Sequence, residues 1–473
     1  RLREETQKII VGKQHQIDLI LMSIFSGGHV LLSDLPGSGK TTVVCGLLRA
    51  LKNRGKKVRA FKCGPDFIDP LFHETVVGVP SGTLDLFFSD QDQLKRLFCR
   101  HAAGADLCLI EGVMGYYDGL GAATDRASSY AVARALDAPV VLIVDGRGQS
   151  LSALATLEGF LRFREDSRIR GVLFNRMSES VYIALKPQVE ALGVRPLGYV
   201  PKAPEVMVES RHLGLVTPGE IEDLGQKLDA LAAMLERTVD MEGLLALAGS
   251  APALEAPPAA PIPPLPRTRI AVARDQAFCF LYRDNLDLLA DYGAELIFFS
   301  PLHDDALPAG AQGFILPGGY PELHARALSE NESMRRSVRE AIPNGLPCLA
   351  ECGGFLYLHR ELEDMEGRSW PMAGVLDARA YRTPRLGRFG YITLTAKADT
   401  AFLPAGETVR GHEFHYFESE SCGDALRAQK PTGSRGWDCG HSRGNLLMGF
   451  PHLYYPSDPQ LIERFLRACA KEV

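Results

Sequence analysis

HVLLSDLPGSGKTTVVCGLLRALKNRG, residues 29–55, decides the fold of the first half of this chain. HVLLSD is a short, continuous apolar run ending on polar residues, which reads as a buried strand. TTVVCGLLRALKNRG repeats apolar residues at helical spacing and ends on Gly55, a helix stop. Between them lies LPGSGKTT. Gly37 and Gly39 let the backbone curl so that its N–H groups face an anion at the helix N-terminus. Lys40 brings a positive charge to β/γ-phosphates, and Thr41 offers a hydroxyl to Mg²⁺. The strict pattern wants glycine where Asp34 stands. Strand before, helix after and an intact GKTT outweigh that departure, and a Gly-rich turn with a surface lysine is the bland alternative. A nucleotide site is therefore expected at Gly37, Ser38, Gly39, Lys40, Thr41 and Thr42.

Working outward, KVRAFKC, ADLCLIEG, APVVLIVD and IRGVLFN are further short β-rich runs with helical stretches between them. Continuous apolar strands alternating with helices predict a doubly wound parallel sheet. In such sheets, residues just beyond the strand C-termini converge on the ligand crevice. GPDFIDP places Asp66 and Asp69 there, EGVMGYYDG places Glu111 and Asp118, and Asp145 ends another strand. Carboxylates there suit Mg²⁺ held against phosphate oxygens. Any one alone reads as a loop acid or helix cap; four in two Gly-flanked loops read as a site.

At 473 residues the chain exceeds one ordinary core, and two domains of roughly 200–250 residues are the natural division. AGSAPALEAPPAAPIPPLPR, residues 248–267, separates them: seven prolines with small residues cannot build a core and read as an extended linker. The expected layout is an N-terminal helical extension over 1–28, a P-loop domain over 29–247, the linker, and a second α/β domain over 268–473. A net charge of −6 gives no electrostatic reason to expect a nucleic-acid partner. No apolar run is long enough for a membrane span and RLREETQK is not a signal peptide, so a cytoplasmic enzyme is expected. The ten cysteines form no CxxC pair and no zinc-spaced cluster. Nine read as buried reduced thiols.

Cys352 is the exception. PCLAECGGFLYL reads as strand, tight turn and helix, with Gly353 and Gly354 directly after the cysteine. Small neighbours are what a strained nucleophile elbow needs. The helix N-terminus that follows favours a thiolate and supplies N–H groups for an oxyanion. Upstream, ILPGGYPE puts Gly318 and Gly319 after another strand, a second half for an oxyanion hole with Gly353. The base is sought among His452 in GFPHLYYPSDP and His412 and His415 in GHEFHYF.

Taken together, LPGGYPE, AECGGFLYL, RGHEFHYF and GFPHLYY resemble a class I glutamine amidotransferase domain of the cobyric/cobyrinic type, with a flavodoxin-like α/β fold. AFKCGPDFIDPLFH, EGVMGYYDG and LFNRM resemble the ATP-dependent amidoligase domain of the same enzymes, akin to dethiobiotin synthetase, and AVARDQAFCFLYRDNLDLL fits as well. Over residues 31–473 the chain is similar to the cobyrinic acid a,c-diamide synthase family. The resemblance implies Cys352 as glutaminase nucleophile and His452 as its proton carrier. It implies Thr41, Asp66 and Glu111 at a metal, Asp69 and Asp118 as further acids of the metal–substrate site, and Asn175 where related synthetases read adenine. The implied reaction amidates the a and c carboxylates of cobyrinate through acyl phosphates, with ATP, Mg²⁺ and glutamine or ammonia. The partners expected are small molecules, the tetrapyrrole carboxylate and glutamine, with no nucleic acid and no membrane; a homodimer is allowed for.

Three positions depart from the family. Tyr454 stands where many glutamine amidotransferases carry Glu two residues after the histidine, leaving a third triad member unassigned. Phe67 replaces a usual Tyr. The first 36 residues resemble the opening of a MoxR-type AAA+ ATPase. The nearest competing reading is the same chemistry on Ni-sirohydrochlorin or hydrogenobyrinate, with cobyric acid synthase behind it. A AAA+ remodelling ATPase, or a degenerate binding protein, is remoter: AAA+ motifs are not evident after Thr42, while GKTT and ECGG are intact.

Overall fold

A computed structural model describes residues 28–34, 39–203, 218–259, 261–263 and 265–470. Residues 1–27, which hold nearly all of the expected helical extension and most of the AAA+-like opening, lie outside the described residues, as do Gly37 and Ser38, while Gly28–Asp34 of that opening is a strand. By its internal contacts the chain divides into two compact units, one up to Ala259 and one from Ala260.

The first unit is built on seven strands: β1 (Gly28–Asp34), β2 (Val58–Cys63), β3 (Ser81–Leu84), β4 (Leu107–Gly115), β5 (Val140–Asp145), β6 (Ile169–Asn175) and β7 (Arg195–Val200). They lie in the order β3-β2-β4-β1-β5-β6-β7, and every pairing is parallel. Side chains on both faces are buried, which is why these strands read as unbroken apolar runs. One face packs Leu47, Leu48 and Leu51 of the helix Lys40–Asn53 against Leu228, Leu231 and Leu235 of the helix Pro218–Thr238. Gly46 makes that approach possible, because a Cβ there would lie 2.6 Å from Leu235 and 2.7 Å from Leu231. Each fully buried leucine contributes about 1.5–3 kcal/mol. Past the helix Met241–Ala248, the linker does not run free: the carbonyl of Pro258 accepts a hydrogen bond from Arg96 at 3.1 Å, and that of Leu254 lies 3.7 Å from the Cys99 thiol.

In the second unit β8 (Thr268–Ala273), β9 (Ala294–Phe299), β10 (Gly313–Leu316) and β11 (Cys348–Glu351) form a parallel core. The strands β12 (His359–Glu363), β13 (Ser369–Pro371), β14 (Leu376–Arg382), β15 (Arg388–Ala396), β16 (Thr408–His415), β17 (Phe417–Ser419), β18 (Leu426–Gln429) and β19 (Gly436–Cys439) follow. The last three are β20 (His441–Arg443), β21 (Leu446–Gly449) and β22 (His452–Leu453). β21 joins the core beside β11, giving β20-β21-β11-β10-β8-β9. The remaining strands make a four-stranded sheet, β13-β12-β14-β17, and a five-stranded antiparallel sheet, β19-β18-β15-β16-β22. Two placements matter for chemistry. β11 ends one residue before Cys352, and β22 sets His452 opposite His412 on β16.

Candidate active sites

In the first unit, β2 and β4 are neighbours in register, with Lys62 beside Glu111. Both side chains are buried, Glu111 completely. The Lys62 ammonium donates to Asp69 Oδ2 at 2.5 Å and to Glu111 Oε1 at 2.9 Å, and lies 3.7 Å from Asp66 Oδ2. From the neighbouring helix N-terminus the Thr41 hydroxyl donates to Glu111 Oε1 at 2.7 Å and to Asp69 Oδ2 at 3.3 Å. Lys40, at that same N-terminus, hydrogen-bonds the carbonyls of Val113 at 3.1 Å and Met114 at 3.5 Å. His73 Nε2 sits 3.4 Å from the other Glu111 oxygen, and its Nδ1 is 3.2 Å from the Ser81 hydroxyl.

Burial alone would push Glu111 up, but Lys62, His73 and Lys40 hold it well below the carboxylate range. Asp69 is pushed up to about 6, first by burial and then by the charges of Glu111 and Asp66. Lys62 is desolvated, yet Glu111, Asp69 and Asp66 keep it firmly protonated. The result is three carboxylates around one interior ammonium, a set of oxygens with net negative charge.

The other expected residues are placed individually. Asp66 Oδ1 accepts from the N–H groups of Ile68 at 2.8 Å and Asp69 at 3.2 Å, which starts the short helix Ile68–Phe72 and aims Asp69 inward. Gly39 has φ +84, the left-handed region that glycine favours, and a Cβ there would sit 2.9 Å from Asn175 Nδ2. Asn175 therefore borders the start of the nucleotide helix. Thr42 is buried in that helix's first turn. Asp118 instead accepts from the Gly115 N–H in its own turn, at 3.1 Å. Asp145 is paired with Arg176, 2.8 Å away.

In the second unit, Cys352 has φ +44 and ψ −99, a conformation costing roughly 1–3 kcal/mol that its surroundings must impose. The constraints are visible: Cys352 N–H donates to Gly449 O at 2.8 Å, and Gly354 N–H donates to Pro317 O at 2.9 Å. The second bond pulls the turn against the Gly318–Gly319 segment. A Cβ on Gly353 would lie 2.9 Å from Gly319 N, so the two N–H-bearing turns are side by side. A Cβ on Gly318 would fall into the His452 ring. Only glycine leaves room for that imidazole.

His452 stacks on His412, ring centres 4.9 Å apart, and His412 Nδ1 lies 3.1 Å from the Tyr282 hydroxyl. His415 stacks instead on Phe450 at 4.0 Å. Burial drives His452 well below its ordinary value, helped by His412 and His415, and drives His412 down to about 3. The Cys352 thiol is pushed up by burial and by the nearby Glu322 and Glu413, opposed by the Gly353 N–H. Thiol and imidazole are thus both neutral at rest. Tyr454, in the position of the missing glutamate, donates to Asp284 at 2.7 Å.

Residues 33–216 match the CobQ/CobB/MinD/ParA nucleotide binding domain, and residues 269–457 the CobB/CobQ-like glutamine amidotransferase domain. The chain is 39% identical over 438 residues to a cobyrinate a,c-diamide synthase of Caldanaerobacter subterraneus, covering 92% of this chain and 96% of that protein. It is 40% identical over 440 residues to the Listeria innocua protein of that name, covering 91% and 97%. The Salmonella typhimurium protein is 40% identical over 447 residues, covering 92% and 96%. This chain belongs to the cobyrinate a,c-diamide synthase family.

Within that family frame, sequence reading passed over three residues of these sites. Lys62 reads as the polar end of an apolar strand, and His73 as a loop histidine. Glu351 reads merely as the residue before the nucleophile. In the structure it is buried, accepting from Leu453 N–H at 3.1 Å and Tyr455 O–H at 2.8 Å, and so fastens both sides of the turn after His452 to the elbow. For Lys62 a signal was available: a lysine inside a strand otherwise apolar needs interior acids, and Asp66, Asp69 and Glu111 were already in view. No helix among the described residues is long and apolar enough to cross a membrane.

Proposed function

We propose that this chain amidates the a and c side-chain carboxylates of cobyrinate in cobalamin biosynthesis, taking nitrogen from glutamine and energy from ATP. The observation that carries it is one chain joining a nucleotide-helix acid cluster to a strained, buried Cys352 whose elbow abuts the Gly318–Gly319 segment, against which the His452 ring lies. The tetrapyrrole follows from the names of relatives matched over nearly their whole length.

In the glutaminase step His452 takes the Cys352 proton as sulfur attacks the amide carbon. The N–H groups of Gly353 and Gly319 face the oxyanion. The protonated imidazole passes its proton to the departing nitrogen, releasing ammonia, and water then cleaves the thioester to glutamate. In the ligase step the γ-phosphoryl passes to a substrate carboxylate, giving an acyl phosphate from which ammonia displaces phosphate. Lys40, Thr41 and the backbone leading into the helix Lys40–Asn53 hold the phosphates, and Asn175 borders the nucleotide.

Thr41, Asp69 and Glu111 offer an all-oxygen donor set of the kind Mg²⁺ takes, and the second Glu111 oxygen is buried without a hydrogen bond among the described residues. These residues, with Asp66 beside them, would hold the ion. When bound, it neutralises charge on the transferring phosphoryl group. Lys62 keeps the carboxylates together beforehand, so the oxygens are assembled without mutual repulsion. Asp118 shapes the Gly115 turn beside this cluster.

The test is Cys352→Ala assayed with ATP, cobyrinate and either nitrogen donor, scored by mass gain per amidation. Glutamine-supported turnover disappears and ammonia-supported turnover continues. Loss of both sinks this division of labour.

A further inference from the structure

Beside Cys352 the inner face of the β15–β16 hairpin carries three groups that the mechanism above does not use. Glu413 is completely shielded from solvent, and its Oε2 has no hydrogen-bond partner among the described residues. Its Oε1 has only a long contact, 3.4 Å from the Trp437 indole N–H. His415, on the same face, holds Nε2 3.8 Å from Glu413, again without a hydrogen bond, and Arg388 stands opposite His415 in the strand register. Cys352 bonds to Gly449, and His415 stacks on the next residue, Phe450, so this wall adjoins the nucleophile. Electrostatics agree: Glu413 is close enough to oppose thiolate formation, second among charged neighbours to Glu322.

A buried carboxylate oxygen without a donor is costly until a donor arrives. We propose that Glu413 receives the α-ammonium group of glutamine. The thiol attacks the side-chain amide at one end of the substrate. At the other end the amino-acid head group needs an anionic acceptor, and a three-donor ammonium satisfies the open Glu413 oxygen. Cys352 is itself only 6% exposed, so thiol and carboxylate are both interior groups. This assignment rests on the glutaminase reading and fixes its specificity: the site selects an α-amino acid amide over a simple one.

The experiment compares kcat/KM for ammonia release from L-glutamine and from glutaramate, which is glutamine without its α-amino group, using the full chain with ATP and cobyrinate. The unaltered chain prefers glutamine by about 100-fold, as a site built around a substrate's donor does. In Glu413→Gln that preference falls by about tenfold or more, through loss on glutamine with little change on glutaramate. Unchanged discrimination in Glu413→Gln, or its collapse in Glu322→Gln instead, overturns the assignment. Release from neither amide by the unaltered chain overturns the glutaminase reading itself. Should Glu413→Gln melt below the assay temperature, Glu413→Asp carries the test. Its retained charge on a shorter arm raises KM for glutamine and not for glutaramate, and an equal rise for both overturns the proposal.

Discussion

The two sites solve opposite electrostatic problems. Around Thr41 the interior is charged before any ligand arrives: Lys62 is tied to Asp69 and Glu111, and Lys62 and Glu111 hold each other ionised. Around Cys352 it is the reacting groups that are neutral: burial raises the thiol and lowers both His452 and His412. A phosphoryl-transfer site must hold multiply charged groups in place, so preassembled charge is an advantage. A thiol site that stays protonated until substrate enters is shielded from alkylation and from releasing ammonia without use. The largest test of this contrast is Glu111→Ala. It strips Lys62 of one partner in a dry interior and lowers stability by about 3–5 kcal/mol, read from urea unfolding. ATP-dependent amidation falls by on the order of 100-fold or more with either nitrogen donor. A fall confined to glutamine-supported turnover breaks the comparison.

The second test sharpens the neutral site. Gly318→Ala drives a methyl group into the His452 ring, so the imidazole must move away from the elbow. A displacement of about 1 Å costs on the order of 100-fold in rate. Glutamine-supported turnover falls by that amount while ammonia-supported turnover holds. Equal loss with both donors would mean that Gly318 serves folding and not the imidazole.

What sequence could reveal differs between the two sites for a physical reason. The parallel strands were legible because burial on both faces leaves unbroken apolar runs, as in VVLIVD of β5. The elbow was legible because a cysteine at φ +44 needs Gly353 and Gly354 after it. Asp66 and Asp69 do lie in the loop and short helix after β2, but Glu111 sits inside β4 and not in the loop expected after it, and Asp118 holds its own turn. Lys62 could have been found from its place in a buried strand near Asp66, Asp69 and Glu111, whereas His73 meets Glu111 only through the folding of the segment after the helix Ile68–Phe72, which leaves no local pattern. The choice among three histidines could not be made from spacing. In the structure β22 pairs with β16, which stacks His412 on His452 and leaves His415 to Phe450, an arrangement no spacing announces. Nor does spacing announce Glu351, whose partners lie about a hundred residues away in sequence.

Glu351 supplies the smallest and most pH-dependent test. Burial raises it to about 7 from the ordinary carboxylate value of 4.5, against the opposing effects of Tyr455 O–H and Leu453 N–H. The folded state therefore binds this proton more tightly than the unfolded chain does. Its contribution to stability is full below pH 4.5, declines as pH rises towards about 7, and is constant above. Tyr455→Phe removes a hydrogen bond that favours the ionised form, pushing the carboxyl higher and extending the decline beyond pH 7. The cost is about 1 kcal/mol where Glu351 is ionised and smaller where it is protonated. Urea unfolding at pH 6 and pH 8.5 separates the two cases: the difference between variant and unaltered chain widens at the higher pH. A pH-independent difference would mean that Tyr455 acts by packing alone, and Glu351 would then belong with the charged site, ionised throughout, and not with the neutral one.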